Sequence, residues 1–169
     1  MCIRDSSQIL PKDYKLKSQI ELVLSEMAEQ VAIRLRRINK KAKSVHIHIS
    51  YSRIENKKSI NASKKINPTQ STKQLTDYVL DLFRDKYDGG SVRSIAVRYD
   101  NLVDDNLTIY TLFDDIEAIE KQRKIDKTLD NIRDKYGFLS IQNGSILMEG
   151  SRVKERSKLV GGHAGGMDG

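Results

Sequence analysis

Apolar residues recur along residues 1–102 with two different periods, one typical of β-strands and one typical of α-helices. Residues 45–51 carry apolar side chains at every odd position and polar ones at every even position, which predicts a half-buried β-strand. Before this strand, a stripe with helical spacing predicts an amphipathic helix that opens with a capping box of Ser18 and Glu21. The stripe consists of Ile20, Val23, Leu24, Met27, Val31, Leu35 and Ile38.

Three other segments have the pattern of β-strands. Residues 7–14 predict a short edge strand, because Pro11 has no backbone N–H to donate to a neighbouring strand. Residues 57–66 predict a strand that pairs with the first one and ends before Pro68. Residues 92–102 alternate between apolar and polar positions again, which predicts a fourth strand.

A second helix lies between the last two strands. Ser71 and Gln74 form its capping box, and Gly89 and Gly90 predict a left-handed cap at its end. The order is therefore β-α-β-β-α-β, which predicts an α+β, ferredoxin-like (split βαβ) domain over residues 7–102. Two helices would cover one face of a four-stranded sheet and leave the other face polar, with Ser44, His46, His48, Ser50, Ser59, Asn61, Ser63, Lys65, Ser94 and Arg98 exposed on it.

The character of the chain changes after this domain. Residues 103–115 form an acidic linker, and residues 116–160 predict a helical C-terminal extension. Its helix would be capped by Asp114 and Glu117, would run to about Tyr136, and would carry a sparse apolar side of Ile116, Ile119, Leu129 and Ile132. Residues 139–147 have a strand-like pattern, and the glycine-rich residues 161–169 predict a disordered tail.

Charge is distributed unevenly along the chain. The formal net charge is +7 and the sequence pI is about 9.4, which favours a polyanionic partner. Residues 34–65 contain 11 lysines and arginines against one acid, Glu55, whereas residues 100–120 contain seven acids and no base. This one-sided excess favours nucleic-acid binding over a merely solvated charged surface.

Several classes of function are disfavoured. No apolar run approaches the ~20 residues that cross a bilayer, and residues 1–11 lack the apolar core of a secretory signal. The single cysteine, Cys2, excludes an intramolecular disulfide and fits a reducing cytosol. His46 and His48, even together with His163 or Cys2, lack the spacing of a zinc site. No nucleophile–base motif accompanies the serines, so we expect neither a metal site nor a catalytic site.

Five short motifs occur in a characteristic order along nearly the whole chain. On these motifs the chain resembles the little-finger (polymerase-associated) domain and C-terminal tail of UmuC/DinB-type Y-family DNA polymerases, the ImpB/MucB/SamB group, in its bacterial UV-repair branch. The motifs are SSQILPKDY (residues 6–14), VRSIAVR (92–98), YTLFDD (110–115), DKYG (134–137) and GGH (161–163).

The resemblance implies that the domain holds primer–template duplex DNA through its phosphates, without reading sequence, during translesion synthesis and SOS-type repair. Arg93 and Arg98 fall at basic phosphate-contacting positions of the family, and Ser94 lies where some members carry another arginine. For Lys40 and Lys41, DNA contact and a favourable charge at a helix C-terminus are both open. The other DNA-binding residues expected are Arg53, Lys57, Lys58, Ser59, Asn61, Ser63, Lys65, His46 and His48.

Residues 110–113 are similar to the family's sliding-clamp peptide, whose usual form is Q-L-x-L-F. Leu112 and Phe113 would enter an apolar pocket on the clamp, while Ile109 and Tyr110 replace the usual Gln and Leu. The alternative is that Leu112 and Phe113 pack against the chain's own helix.

The family's catalytic carboxylates, which hold two Mg²⁺ ions for phosphoryl transfer, lie in a palm domain upstream of the little finger. This chain contains no palm motif, so we expect it to hold no cofactor and not to polymerise DNA by itself. Two other functions remain open: a free-standing RNA-binding module of the same topology, and an adaptor that binds a sliding clamp. Residues 57–66 contain no aromatic side chain and Tyr51 has core-facing parity, which favours duplex binding over stacking of RNA bases.

Overall fold

The computed structural model describes residues 3–106, 110–160 and 163–164, and it confirms the predicted α+β class. The strands of the main sheet are β1 (Ile3–Tyr14), β2 (Lys40–Tyr51), β3 (Ile60–Thr69), β4 (Val92–Asp100) and the short β5 (Val103–Asp104). The helices are α1 (Lys17–Arg37), α2 (Thr72–Lys86), α3 (Ile116–Tyr136) and α4 (Val153–Arg156). None of the helices in these ranges has a segment long and apolar enough to cross a lipid bilayer.

The sheet is antiparallel throughout, with the strand order β1-β4-β2-β3, and β5 pairs with the first residues of β2. Helices α1 and α2 cover one face, so the β-α-β-β-α-β prediction is confirmed. The alternation of β2 and β4 directs Val45, Ile47, Ile49, Ile95, Val97 and Tyr99 into the core beneath the helices. The buried Tyr99 hydroxyl donates a hydrogen bond of 2.9 Å to the carbonyl oxygen of Ala28, which ties β4 to α1.

The two helix starts behave differently from each other. Ser71 caps α2 as predicted, because its Oγ accepts a hydrogen bond from the Gln74 backbone N–H at 3.4 Å. The capping box predicted for α1 is wrong: its N-cap is Leu16, and no side chain caps it. Glu21 instead accepts two hydrogen bonds from the Arg84 guanidinium, at 2.9 and 3.0 Å, and so joins α1 to α2.

Two predicted boundaries are wrong around strand β3 and helix α2. Strand β3 continues through Pro68 to Thr69, because β3 is an edge strand, where a missing N–H costs no ladder hydrogen bond. Helix α2 ends at Lys86, before the two glycines, and its C-cap is Tyr87 in an extended conformation. Gly89 and Gly90 have φ angles of +100° and +107°, but they lie in the loop that follows and not at the helix cap.

The extension after the sheet also differs in detail from the prediction. Asp115, one residue later than expected, caps α3 by accepting from the Ala118 N–H at 3.0 Å. The predicted strand at 139–147 is wrong, since this stretch forms two 3₁₀ turns, Phe138–Ser140 and Gly144–Leu147. The predicted disordered tail lies outside the described residues except for His163–Ala164, which pair with Leu159–Val160.

Charged contacts, and not an apolar stripe, join α3 to the domain. Arg36 of α1 contacts both Asp130 oxygens, at 2.6 and 3.0 Å, and donates to the Gln70 carbonyl oxygen and the Thr72 hydroxyl at 2.9 Å each. Asp126 is buried beside it and accepts a hydrogen bond of 3.0 Å from the Thr72 N–H at the start of α2. This placement satisfies a helix N-terminal donor with a carboxylate, which the helix dipole favours. Arg36 therefore connects α1, α2 and α3.

A second buried carboxylate holds the end of the extension. Glu26 of α1 accepts hydrogen bonds from the Ser151 hydroxyl at 2.5 Å, the Arg152 N–H at 2.9 Å and the Arg156 guanidinium at 3.0 Å. Burial raises the pKa of Glu26 and lowers the pKa of Arg156 to about 10, because desolvation outweighs the attraction between them. The extension therefore forms a third layer, on the side of α1 that faces away from the sheet.

The mostly buried Arg36 at the junction of three helices predicts a large and specific stability effect. We expect Arg36→Met to lower the free energy of unfolding by about 3 kcal/mol, because it leaves the buried Asp126 and the mostly buried Asp130 without a cation. The matched control is Arg37→Met on the next residue, whose salt bridge to Asp134 is about half exposed; we expect a loss of at most about 1 kcal/mol there. Urea denaturation measures both, and equal losses would contradict the account.

Candidate nucleic-acid interface

The face of the sheet opposite the helices is polar, as predicted. We call it the open face and define it by Ser7, Ile9, His46, His48, Ser50, Asn61, Ser63, Lys65, Ser94, Ala96 and Arg98. Ile9, on the edge strand, is an exposed apolar exception. Cross-strand register places these side chains in rows, for example Ser7, Ala96, His48 and Asn61 across β1, β4, β2 and β3. Ser44 has the same parity but is buried, and its hydroxyl accepts a hydrogen bond of 3.1 Å from the Asn101 amide.

His48 is held in the middle of the open face by two neighbours. Its Nδ1 lies 2.6 Å from the Asn61 side-chain oxygen, and its Nε2 lies 2.9 Å from the Ser50 hydroxyl. The Ser59 hydroxyl, just before β3, donates to the same Ser50 oxygen at 3.4 Å. This arrangement gives a row of side chains that can donate or accept hydrogen bonds and carries no fixed negative charge.

A charged cluster occupies the part of the open face nearest the end of β4. The Asp100 Oδ2 accepts from the Arg98 Nε at 2.9 Å and lies 2.8 Å from the His46 Nε2. The His46 Nδ1 lies 3.4 Å from the Arg98 Nη2, a pattern that fits a neutral imidazole with its proton on Nε2. Burial lowers the pKa of His46, and the nearby Asp100 carboxylate only partly opposes that change.

Arg93 and Ser94 lie side by side on β4 but differ in setting. Ser94 is on the open face, paired with Ile9 of β1 and Ser50 of β2. Arg93 lies at the irregularity where the register of β4 against β2 shifts, and its guanidinium is 3.6 Å from the Asp13 carboxylate on the edge strand. Arg93 is exposed and therefore lies at the rim of the face rather than in its centre.

Apart from Lys65 on β3, the other predicted DNA-binding cations lie outside the strands of the sheet. Lys57 reaches toward the helix side, where its ammonium donates to Asp88 and to the Gly89 carbonyl oxygen at 2.9 Å each and lies 5.5 Å from the Tyr51 ring centroid. Arg53, in the short 3₁₀ turn after β2, and Lys58 are both exposed. Arg53 and Lys58 are therefore accessible, whereas Lys57 is turned away from the open face.

The basic stretch at 34–65 does not form one cationic patch. Five of its 11 cations are paired with carboxylates within the described structure: Arg36, Arg37, Lys40, Lys41 and Lys57. Lys40 and Lys41 contact Asp104 and Asp105, so the acidic segment that the sequence separates from the basic one folds back onto it. The charge available for a polyanion is therefore smaller than the sequence count suggests.

No aromatic ring is exposed on the open face within the described part of the sheet. Tyr51 packs on the helix side, with its ring centroid 6.4 Å from that of Tyr87 in a stacked arrangement, and Tyr99 is buried in the core. The core-facing parity predicted for Tyr51 is confirmed. Proteins that stack unpaired RNA bases on a sheet need rings on that surface.

The segment around Phe113 projects from the domain. Leu112 and Phe113 are 101% and 98% exposed, so the alternative that they pack against the chain's own helix is wrong. The Tyr110 hydroxyl donates a hydrogen bond of 3.1 Å to the Glu120 carboxylate, and the Thr111 N–H donates to Asp114 at 2.5 Å. These contacts tether the segment at both ends, while Ile109 lies outside the described residues.

Sequence reasoning missed one residue of the interface. Asp100 belongs to the acidic run at residues 100–120 and is not among the predicted site residues, yet it ends β4 on the open face. Its position two residues after Arg98 was the available signal, since strand residues i and i+2 share a face. Among the described residues, no group of three histidine, cysteine, aspartate or glutamate side chains could hold a metal ion.

Comparison with known proteins adds independent information. Residues 6–112 match the impB/mucB/samB family C-terminal domain. The chain is 36% identical over 158 residues to the Bacillus subtilis protein UvrX, which is named for UV-damage repair; the match covers 93% of this chain and 38% of UvrX. It is 28% identical over 155 residues to DNA polymerase IV 2 of Halalkalibacterium halodurans, covering 91% of this chain and 37% of that protein. The chain spans less than two-fifths of the length of these relatives.

Proposed function

This chain belongs to the impB/mucB/samB C-terminal domain family of Y-family DNA polymerases, and on that premise we propose that its open face binds duplex DNA through the phosphates, independently of sequence. The bound DNA would be the primer–template of translesion synthesis and repair in the bacterial cytoplasm. The named relatives are a DNA polymerase and a repair protein, which supports this assignment.

The composition of the open face is the observation that carries the proposal. Hydroxyl, amide, imidazole and guanidinium groups face outward there from four adjacent strands, in the rows set by the sheet register. Such groups hydrogen-bond to phosphate oxygens, which position a duplex but carry no sequence information. Without an exposed ring on the described face, stacking of unpaired bases has no support, so we do not favour the RNA-binding alternative.

We further propose that this chain supplies binding and not catalysis. In the longer relatives, the carboxylates that hold Mg²⁺ would lie in the part that this chain does not match. The domain would then contribute processivity by holding the duplex while another domain performs phosphoryl transfer.

The exposed Leu112 and Phe113 favour a second role, which is the binding of a sliding clamp. Two fully exposed large apolar side chains next to each other are costly in water unless a partner covers them. We propose that they anchor the chain in an apolar pocket of the clamp.

Removing two open-face cations tests the DNA-binding proposal. We expect the double variant Arg98→Gln/Lys65→Gln to weaken binding to a primer–template duplex by roughly tenfold, and to reduce the slope of log K against log salt by up to about 1.8, since each neutralised phosphate contributes about 0.9. The matched control is Lys73→Gln/Lys86→Gln, which removes the same charge from the exposed side of α2.

The measurement is fluorescence anisotropy across a salt series, with two duplexes of unrelated sequence. Equal losses in the two double variants would mean that only net charge matters, and would remove the open face as the binding surface. A strong preference for one of the two duplexes would contradict sequence-independent binding.

Substituting the apolar anchors tests the clamp proposal. We expect Leu112→Ala/Phe113→Ala to abolish detectable binding to a purified bacterial sliding clamp, with an unchanged unfolding free energy because neither side chain is packed. The control is Ile54→Ala/Leu147→Ala, which removes two other residues that are 82% and 81% exposed. Surface plasmon resonance measures the affinity. Retained clamp binding in the 112/113 variant would exclude this segment as the anchor.

A further inference from the structure

An acid on a surface that binds phosphates needs an explanation, and Asp100 is such an acid. Its carboxylate lies at the end of β4 on the open face, where Asp100 pairs with Ser44 in the register of β4 against β2. The side chain is only 18% exposed, because Arg98 and His46 cover it. Asp100 therefore belongs to the proposed DNA-binding surface, although it begins the acidic run at residues 100–120.

The position of Asp100 is fixed by the chain around it. Asn101 follows it with a φ of +55°, a left-handed conformation that ends the strand and that asparagine tolerates better than most residues. The Asn101 amide also donates to the buried Ser44 hydroxyl on β2, at 3.1 Å. The turn therefore holds the Asp100 carboxylate next to the two open-face groups that it contacts.

The contacts of Asp100 occupy the part of Arg98 that would bind a phosphate best. A guanidinium offers two adjacent donors along its Nε–Nη2 edge, which match the oxygens of a carboxylate or a phosphate. In this structure the Nε donates to Asp100 at 2.9 Å, and the Nη2 lies 3.4 Å from the His46 Nδ1. A phosphate must therefore bind the remaining nitrogen, or must displace Asp100 from the edge.

The same carboxylate also occupies His46. The His46 Nε2 lies 2.8 Å from Asp100, so this donor too is unavailable to a phosphate while the cluster is intact. The Asp100 carboxylate thus neutralises the charge of Arg98 and occupies a hydrogen-bond donor of His46. Both groups would otherwise be available to bind a DNA phosphate. Within the described open face, Lys65 is the remaining lysine or arginine besides Arg98.

We infer that Asp100 is an internal competitor with DNA phosphate for Arg98 and His46, and that it limits the strength of duplex binding. This inference rests on the proposed function of the open face. A polymerase domain that holds DNA without reading it has to release each phosphate as the duplex advances. A carboxylate that takes back the same guanidinium edge lowers the cost of that release.

The test is the isosteric variant Asp100→Asn, which removes the charge but keeps an oxygen that can accept from Arg98. We expect duplex affinity to rise about three- to tenfold at low salt, with a slope of log K against log salt that is steeper by up to about 0.9. The control is Asp81→Asn, the same charge change at an exposed position of α2, on the opposite side of the sheet. We expect less than a twofold change there.

A double-mutant cycle separates competition for Arg98 from simple repulsion of the DNA. In an Arg98→Gln background, we expect a clearly smaller gain from Asp100→Asn, because the contested guanidinium edge is gone and only the His46 donor is still released. An undiminished gain in that background would overturn the inference. The pKa of His46, measured by NMR, should fall further in Asp100→Asn, since the carboxylate that raises it is removed; an unchanged value would show that the contact is not made in solution.

These outcomes separate the inference from the function on which it rests. If the wild-type chain does not bind duplex DNA, the proposed function fails. If the wild-type chain binds and Arg98→Gln weakens binding while Asp100→Asn does nothing, the proposed function stands and the competitor role of Asp100 is wrong. Circular dichroism melts of each variant confirm that the compared proteins are folded.

Discussion

Helix α1 has to be covered on two sides by two chemically different partners, and the rest of the structure follows from that requirement. One side is apolar and packs on the sheet together with α2. The other side carries Glu26, Glu29 and Arg36, whose salt-bridge partners in the described structure lie in the extension. Removing the sheet would expose the apolar side of α1 to water, and removing the extension would leave the charged side chains on its other side without counter-ions. We therefore propose that the sheet domain and the extension depend on each other for stability, although the sequence divides them by composition.

This arrangement also decides where the charge of the protein is available. Acids of the linker and of α3 neutralise Arg36, Arg37, Lys40 and Lys41 on the helix side and at the sheet edge. The open face is left with few lysine or arginine side chains but with many hydrogen-bonding groups. In our proposal, the domain holds a duplex by many weak contacts, and a single acid at the end of β4 tunes the strongest of them. Such a surface suits a partner that must move.

The sequence predicted the sheet, its helices and the polar face, because strict alternation and helical spacing depend on local burial. The sequence-based prediction failed where tertiary contacts determine the local structure. Glu21 pairs with Arg84 instead of capping α1, Pro68 is tolerated because β3 is an edge strand, and residues 139–147 form turns instead of a strand. The buried Asp126 and Arg133 of α3 have no signal in a hydrophobic pattern, since their partners lie far away in the chain. The charge distribution along the sequence overstated the available positive charge for the same reason, because acidic residues from distant segments pair with the basic stretch in the fold.

The central claim is that duplex DNA binds the open face of the sheet and not the helix side. NMR titration of the isotope-labelled chain with a short primer–template duplex tests it most directly, by mapping which backbone amides shift. The account predicts that the shifts concentrate on β2, β3 and β4 around His46, Asn61 and Arg98. Shifts that concentrate on α2, on α3 or on the turns after α3 would contradict it.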